Sequence, residues 1–132
     1  MSERHTIFLE ILPVAKGRPK VGNGFVFTPK KTREYERAVQ SMAKGQFGFN
    51  PIENKPIRVT LVFCFPRPNK PKNSQWHIVR PDADNLAKAI LDALNGITWD
   101  DDALIAELFI QKTYAKEGMS PRVVVTFETI AD

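Results

Sequence analysis

The chain has 132 residues, 42% of them hydrophobic and 26% charged, with a formal net charge of +4; this length suits one domain of the common ~100 to 150 residues, with apolar side chains enough for its own core. The longest apolar run, Val59 to Phe65, falls far short of the ~18 residues of a membrane span, the first residues lack a signal-peptide pattern, and the lone Cys64 can close no intramolecular disulfide, so a cytoplasmic protein is expected and membrane and secreted classes are not. Residues 1–80 carry 15 Lys and Arg against 5 Asp and Glu, whereas residues 81–132 carry 4 against 10, which reads either as a basic surface for a polyanion beside an acidic centre or as self-neutralisation across the fold.

In chain order, Thr6 to Ile11 alternates weakly and predicts a first strand. Gly22 and Gly24 around Asn23 predict a tight turn between two short strands. Thr28 followed by Pro29 is a helix start; Tyr35, Ala38, Val39 and Met42 share one face over residues 30–44, and Gly45 supplies a stop. Pro56 to Phe65 is β-branched and aromatic, a central strand. It holds Cys64, read as a buried small hydrophobe. Pro66 to Pro81 is proline-rich and without a period, an exposed loop. A second helix runs from about Asn85 to Asn95 and ends at Gly96, its buried stripe being Leu86, Ile90, Ala93 and Leu94, with Trp99 in the core beyond it. Ala103 to Tyr114 and Arg122 to Thr129 are the last strands, and Lys116, Gly118 and Pro121 predict a hairpin loop between them. The order βββαβαββ makes residues 1–132 a single small α+β domain with a mixed sheet and two main helices.

The chemistry concentrates between Arg80 and Ile105. Asp82 and Asp84 stand two residues apart just before a helix, and Asp100, Asp101 and Asp102 follow its other end. Asp84 alone is also a plausible N-cap. Adjacent carboxylates repel unless they meet water, a base or a cation, and hard divalent cations are held by a few carboxylates while keeping several waters. The spacing lacks the glycine and terminal glutamate of an EF-hand. His5 and His77 are isolated from each other and from the acids and read as surface residues, so no histidine suggests zinc. Lys88 follows Asp84 by four and Asp92 continues that stripe; by itself such a pair is a surface contact of ~0.3 to 0.5 kcal/mol, but beside a metal facing phosphate the lysine would stabilise developing charge. Carboxylates, an expected metal and a lysine beside a basic surface compose the reading of a phosphodiesterase.

Lys16, Arg18, Lys20, Lys30, Lys31, Arg33, Arg67, Lys70, Lys72 and Arg80 are candidates for sequence-independent phosphate contacts. Lys30, Lys31 and Arg33 fall in the first turn of helix one, where bases oppose the helix dipole, so stability does not explain them. Trp76 is either a stacking wedge at an opened junction or an anchor for its loop.

DADNLAKAILDALNG followed by WDDDALI resembles the RusA family of Holliday junction resolvases, whose signature is an Asp-x-Asp-Asn-Leu-x-Lys helix, a downstream Asp-Ala-Leu and an Asp-Asp pair before a strand. PVAKGRPKVGNGFVFTPKKTREYE is similar to the N-terminal half of phage and prophage members. The resemblance implies a homodimer that binds four-way DNA junctions and nicks them in symmetric pairs with Mg²⁺ or Mn²⁺, needing no membrane and no nucleotide cofactor. By position it implies Asp82, Asp84 and Asp102 as metal-binding catalytic carboxylates and Lys88 as the active-site lysine, with Asn85, Asp101 and Asp92 in support. Asp100 adds an acid to the pattern and leaves the choice between Asp101 and Asp102 open. A nonenzymatic DNA-binding module, and a nuclease for flap or other branched DNA, remain as alternative readings.

Overall fold

A computed structural model describes residues 4–17, 20–22, 25–27, 29–48, 50–68 and 74–131, the two short segments 20–22 and 25–27 by their backbone. The chain runs through β1 (Arg4–Leu9), β2 (Lys20–Gly22), β3 (Phe25–Phe27), α1 (Lys30–Gln46), β4 (Ile57–Phe65), α2 (Ala83–Leu94), β5 (Ile105–Tyr114) and β6 (Arg122–Thr129). Four strands form one mixed sheet in the order β1-β6-β4-β5, and β2 pairs with β3 apart from it. The α+β class with two main helices therefore holds. No described helix is long and apolar enough to cross a membrane.

Strict alternation in β4 organises the core. Ile57, Val59, Leu61, Phe63 and Phe65 are buried on one face, as the period of two requires. Val123, Val125 and Phe127 of β6 and Ile7 and Leu9 of β1 extend that face, and Val39 and Ala43 of α1 with Leu86, Ile90, Ala93 and Leu94 of α2 close over it. Trp99 is fully buried among them.

Several expectations shift in detail. Strand β1 begins at Arg4 and ends before Glu10. Helix α1 starts at Lys30 with Pro29 in the capping position and continues through Gly45 to Gln46; Thr28, Asn23 and Gly24 lie outside the described residues. Helix α2 begins two residues earlier than its apolar stripe suggested, so Asp82, not Asp84, occupies the N-cap, and Asp84 sits in the first turn. At its other end Gly96 takes a left-handed φ of 82°, the backbone that glycine tolerates after a helix.

The largest topological correction concerns the last two strands. They are not a hairpin: β4 lies between them, pairing parallel with β5 and antiparallel with β6. The parallel β4–β5 pair needs a crossover, and α2 supplies it. His77 is also not a surface residue, since it is buried and stacks on Phe65 with ring centroids 3.7 Å apart. Cys64 is only half-buried, because its even-numbered position places it on the sheet face away from the helices.

These two faces predict opposite mutational costs. Phe63→Ala should lose about 3 to 5 kcal/mol in urea denaturation, while Thr60→Val on the other face should stay within about 0.5 kcal/mol.

Candidate active site

Helix α2 and the edge strand β5 enclose a groove of about 250 Å³, lined by Asp84, Lys88, Asp92 and Asp102 against an apolar wall that includes Leu91, Leu108 and Ile110. Helical spacing explains the first three. Positions 84, 88 and 92 recur every four residues on one face, while Leu86, Ile90, Ala93 and Leu94 turn the opposite face into the core. Asp102 arrives from the far end of the helix through a tight connection. There Gly96 N–H donates to the Trp99 carbonyl at 2.8 Å, and Thr98 donates its backbone N–H to the Leu94 carbonyl at 3.2 Å.

Asp102 and Asp101 have different environments although they are neighbours. The Trp99 indole N–H donates to Asp102 Oδ1 at 2.7 Å, and the Asp102 backbone N–H donates to Asn95 Oδ1 at 2.8 Å. Asp101 instead accepts the Ala103 backbone N–H at 3.0 Å, capping the 3₁₀ turn Asp102–Leu104. Only Asp102 of the pair lines the groove. Burial raises its carboxyl above the ordinary value of 3.8; the Trp99 hydrogen bond pulls the other way, and the nearby charges of Asp92 and Asp101 add to the rise.

Lys16, from the basic half of the chain, reaches one of the acids that line the groove. Its ammonium pairs with Asp92 and stands 3.9 Å from Glu36. Its backbone N–H donates to the Asn85 carbonyl at 3.1 Å, and the next N–H, of Gly17, donates to Thr32 Oγ1 at 3.2 Å. A Cβ at Gly17 would lie 2.6 Å from that hydroxyl, so glycine is what lets the segment come close enough to deliver Lys16.

Not every candidate gathers here. Asp82 is 58% exposed at the head of α2, with Arg80 Nη1 at 3.9 Å from its carboxylate and no side-chain capping bond. Asn85 and Asp100 are exposed. Among the described residues no three His, Cys, Asp or Glu side chains converge on a single metal position. The donors lining the groove are all carboxylate oxygens, with no His or Cys, the chemistry of a hard cation that keeps several waters.

Of the candidate phosphate contacts, Lys30, Lys31 and Arg33 do open α1, with no acid in its first turn. Lys30 stands 3.8 Å from Glu34, both exposed. Arg67 donates Nε to the Ala115 carbonyl at 3.0 Å. Arg18, Lys70 and Lys72 lie outside the described residues, as does the side chain of Lys20. Trp99, Asn95 and the pairing of Lys16 with Asp92 were not marked as parts of a site by sequence. The three-residue step from Trp99 to Asp102 was the available signal for the first.

The family model described as endodeoxyribonuclease RusA matches residues 10–128. The uncharacterized protein YqaN of Bacillus subtilis (strain 168) is 29% identical over 134 residues, an alignment covering 90% of this chain and 92% of that one.

A carboxyl whose affinity for its proton rises on folding contributes most stability below the unfolded value and loses that contribution as pH rises through the folded one. Asp102→Asn keeps an acceptor for Trp99 without the charge. The metal-free variant should therefore have a higher urea midpoint than the wild type at pH 7, and the difference should shrink towards pH 4.

Proposed function

Because this chain belongs to the RusA endodeoxyribonuclease family, we propose that it hydrolyses phosphodiester bonds in four-way DNA junctions, using Asp82, Asp84 and Asp102 to hold Mg²⁺ or Mn²⁺ and Lys88 to face the scissile phosphate. The observation that carries the residue assignment is the groove itself, where Asp84, Lys88 and Asp102 from two separated segments line one surface. The commitment of Asp101 to the Ala103 N–H favours Asp102 as the carboxylate from the second segment.

Each residue then has a separable role. Asp84 and Asp102 supply hard oxygen donors, and Asp82, two residues before Asp84 and exposed, completes the set from the head of α2. A bound divalent cation supplies Lewis acidity towards phosphate and lowers the pKa of its water. Trp99 and Asn95 fix the carboxylate and the backbone of Asp102, so its oxygens do not reorganise during reaction. Lys88, exposed on the same helical face, places an ammonium where charge accumulates on the phosphoryl oxygens. Lys16 offsets Asp92, which lowers the repulsion that an approaching phosphate meets in the groove.

Two copies acting in symmetric fashion would nick both strands of a junction, and we assign the active species as a homodimer. Lys30, Lys31, Arg33 and Arg80 are among the described cations that contact phosphates without reading sequence. Their contribution to binding declines with salt.

An end-labelled synthetic four-way junction, compared with flap and linear duplex controls, tests the reading directly. With Mg²⁺ or Mn²⁺ the wild type should give paired symmetric nicks on the junction, and chelator should abolish them. Asp84→Asn and Asp102→Asn should each reduce cleavage at least ~10³-fold while junction retention in a gel is preserved, since lost charge stabilisation at a reacting centre costs about that much. Lys88→Ala should lower the cleavage rate far more than affinity. Undiminished nicking by both aspartate variants would remove the site assignment, and cutting of flaps alone would replace the substrate.

A further inference from the structure

On the sheet face away from the helices, a second groove of about 460 Å³ opens along Val62 and Cys64 of β4, Gln111 and Thr113 of β5, and Arg122 of β6. This volume lies within the ~300 to 1,000 Å³ of pockets that enclose small molecules. Its wall is Trp76, 45% exposed, and the exposed residues Gln75 and Gln111 line the same space. Arg67, Lys116 and Arg122 supply its charge, and none of the described lining residues is acidic.

The wall is held in place by backbone. Trp76 bridges to Thr113 on the outer edge of β5, Tyr114 N–H donates to the Gln75 carbonyl at 3.0 Å, and His77 N–H donates to the Lys112 carbonyl at 2.9 Å. The guanidinium of Arg67 is anchored on the Ala115 carbonyl at 3.0 Å and that of Arg122 on the Ser120 carbonyl at 3.2 Å. The same segment continues to Asp82, six residues beyond Trp76 and so at most about 20 Å along the chain. The two grooves occupy opposite faces of β5 and share this connection.

We propose that the second groove receives an unpaired nucleotide of the branched DNA, its base against Trp76, its edge towards Gln75 and Gln111, and its phosphate beside the three cations. An exposed indole face combined with amides and guanidinium groups suits an unstacked base, whereas a continuous duplex keeps its base faces covered. A second copy of the chain is the less fitting occupant, because an isologous contact over this groove would bring its cations against the same cations. The proposal rests on the reading that the protein acts on branched DNA, and the test separates the two.

Cys64 lies on the groove floor and is the sole cysteine, so alkylation by a small maleimide in chelator reports occupancy without cleavage. A four-way junction and a thymidine oligonucleotide should each slow alkylation about ten-fold at saturation, and a linear duplex should not. Trp76→Ala should weaken binding of both about ten-fold, the scale of one lost stacked base, and Trp76→Phe should restore most of it. Equal protection by duplex, an unprotected Cys64 under bound junction, or protection that grows with protein concentration in the absence of DNA would each overturn the proposal, the last by placing a second copy there. If the junction is not bound but the oligonucleotide still protects Cys64 through Trp76, the groove stands and the junction reading fails. If the junction is bound and cut while Cys64 stays reactive, only the groove assignment falls.

Discussion

The hydrogen bond from the Trp99 indole to Asp102 joins the hydrophobic core to the chemistry at its edge. The Trp99 ring is fully buried and meets Phe127 edge-on, with centroids 5.6 Å apart. A buried indole must still satisfy its N–H, and here the partner is a carboxylate rather than a backbone carbonyl. Core packing thus determines where the acid points. The bond in turn offsets only part of the burial and of the charges of Asp92 and Asp101, which together still disfavour the ionised carboxyl. Helix α2 completes the arrangement, since its apolar face is fixed by the same core while its polar face carries Asp84, Lys88 and Asp92.

The uneven charge along the chain resolves into two arrangements in space. Part of it is self-neutralising. Arg58 of β4 reaches Glu107 at 3.0 Å and Glu128 at 3.2 Å, and Lys16 is paired with Asp92. The rest stays separated. Among the described residues, no acid stands in the first turn of α1 and none lines the second groove, and the exposed Lys30–Glu34 contact adds little to stability. Cations and anions therefore sort onto different surfaces of one small domain, with the edge strand β5 between the two grooves.

Much of this was legible from residue order because local rules and burial agree in β4, β6 and α2. Strand β6 was bounded at Arg122 and Thr129, as the structure has it, and the stripe of Leu86, Ile90, Ala93 and Leu94 turns inwards. What failed was non-local. A turn signal at Gly118 marks a turn, and Gly118 does take a φ of 80°, but it does not say whether the flanking strands pair or a third strand separates them. Likewise His77 was isolated in sequence yet stacks on Phe65, twelve residues earlier, because the loop folds back over the sheet. The acids of the candidate site were evident by type and spacing. Their division of labour was not, because the Asp101 and Asp102 side chains differ only in the partners that the turn and Trp99 present to them.

The strand order has a kinetic meaning. Residues 4–9 pair with residues 123–128, so β1 finds its partner across nearly the whole sequence, and β6 must insert between β1 and β4. Closing such a loop precedes any gain from its contacts, which slows folding relative to a protein of local hairpins. Until residues 122–129 take their place, one edge of the most hydrophobic strand stays unpaired, and such an edge templates association with other chains. The parallel unit β4–α2–β5 uses nearer contacts and can assemble sooner. The scaffold of the acidic groove is thus the more local half of the fold, and the sheet that shields it from aggregation is the half completed last.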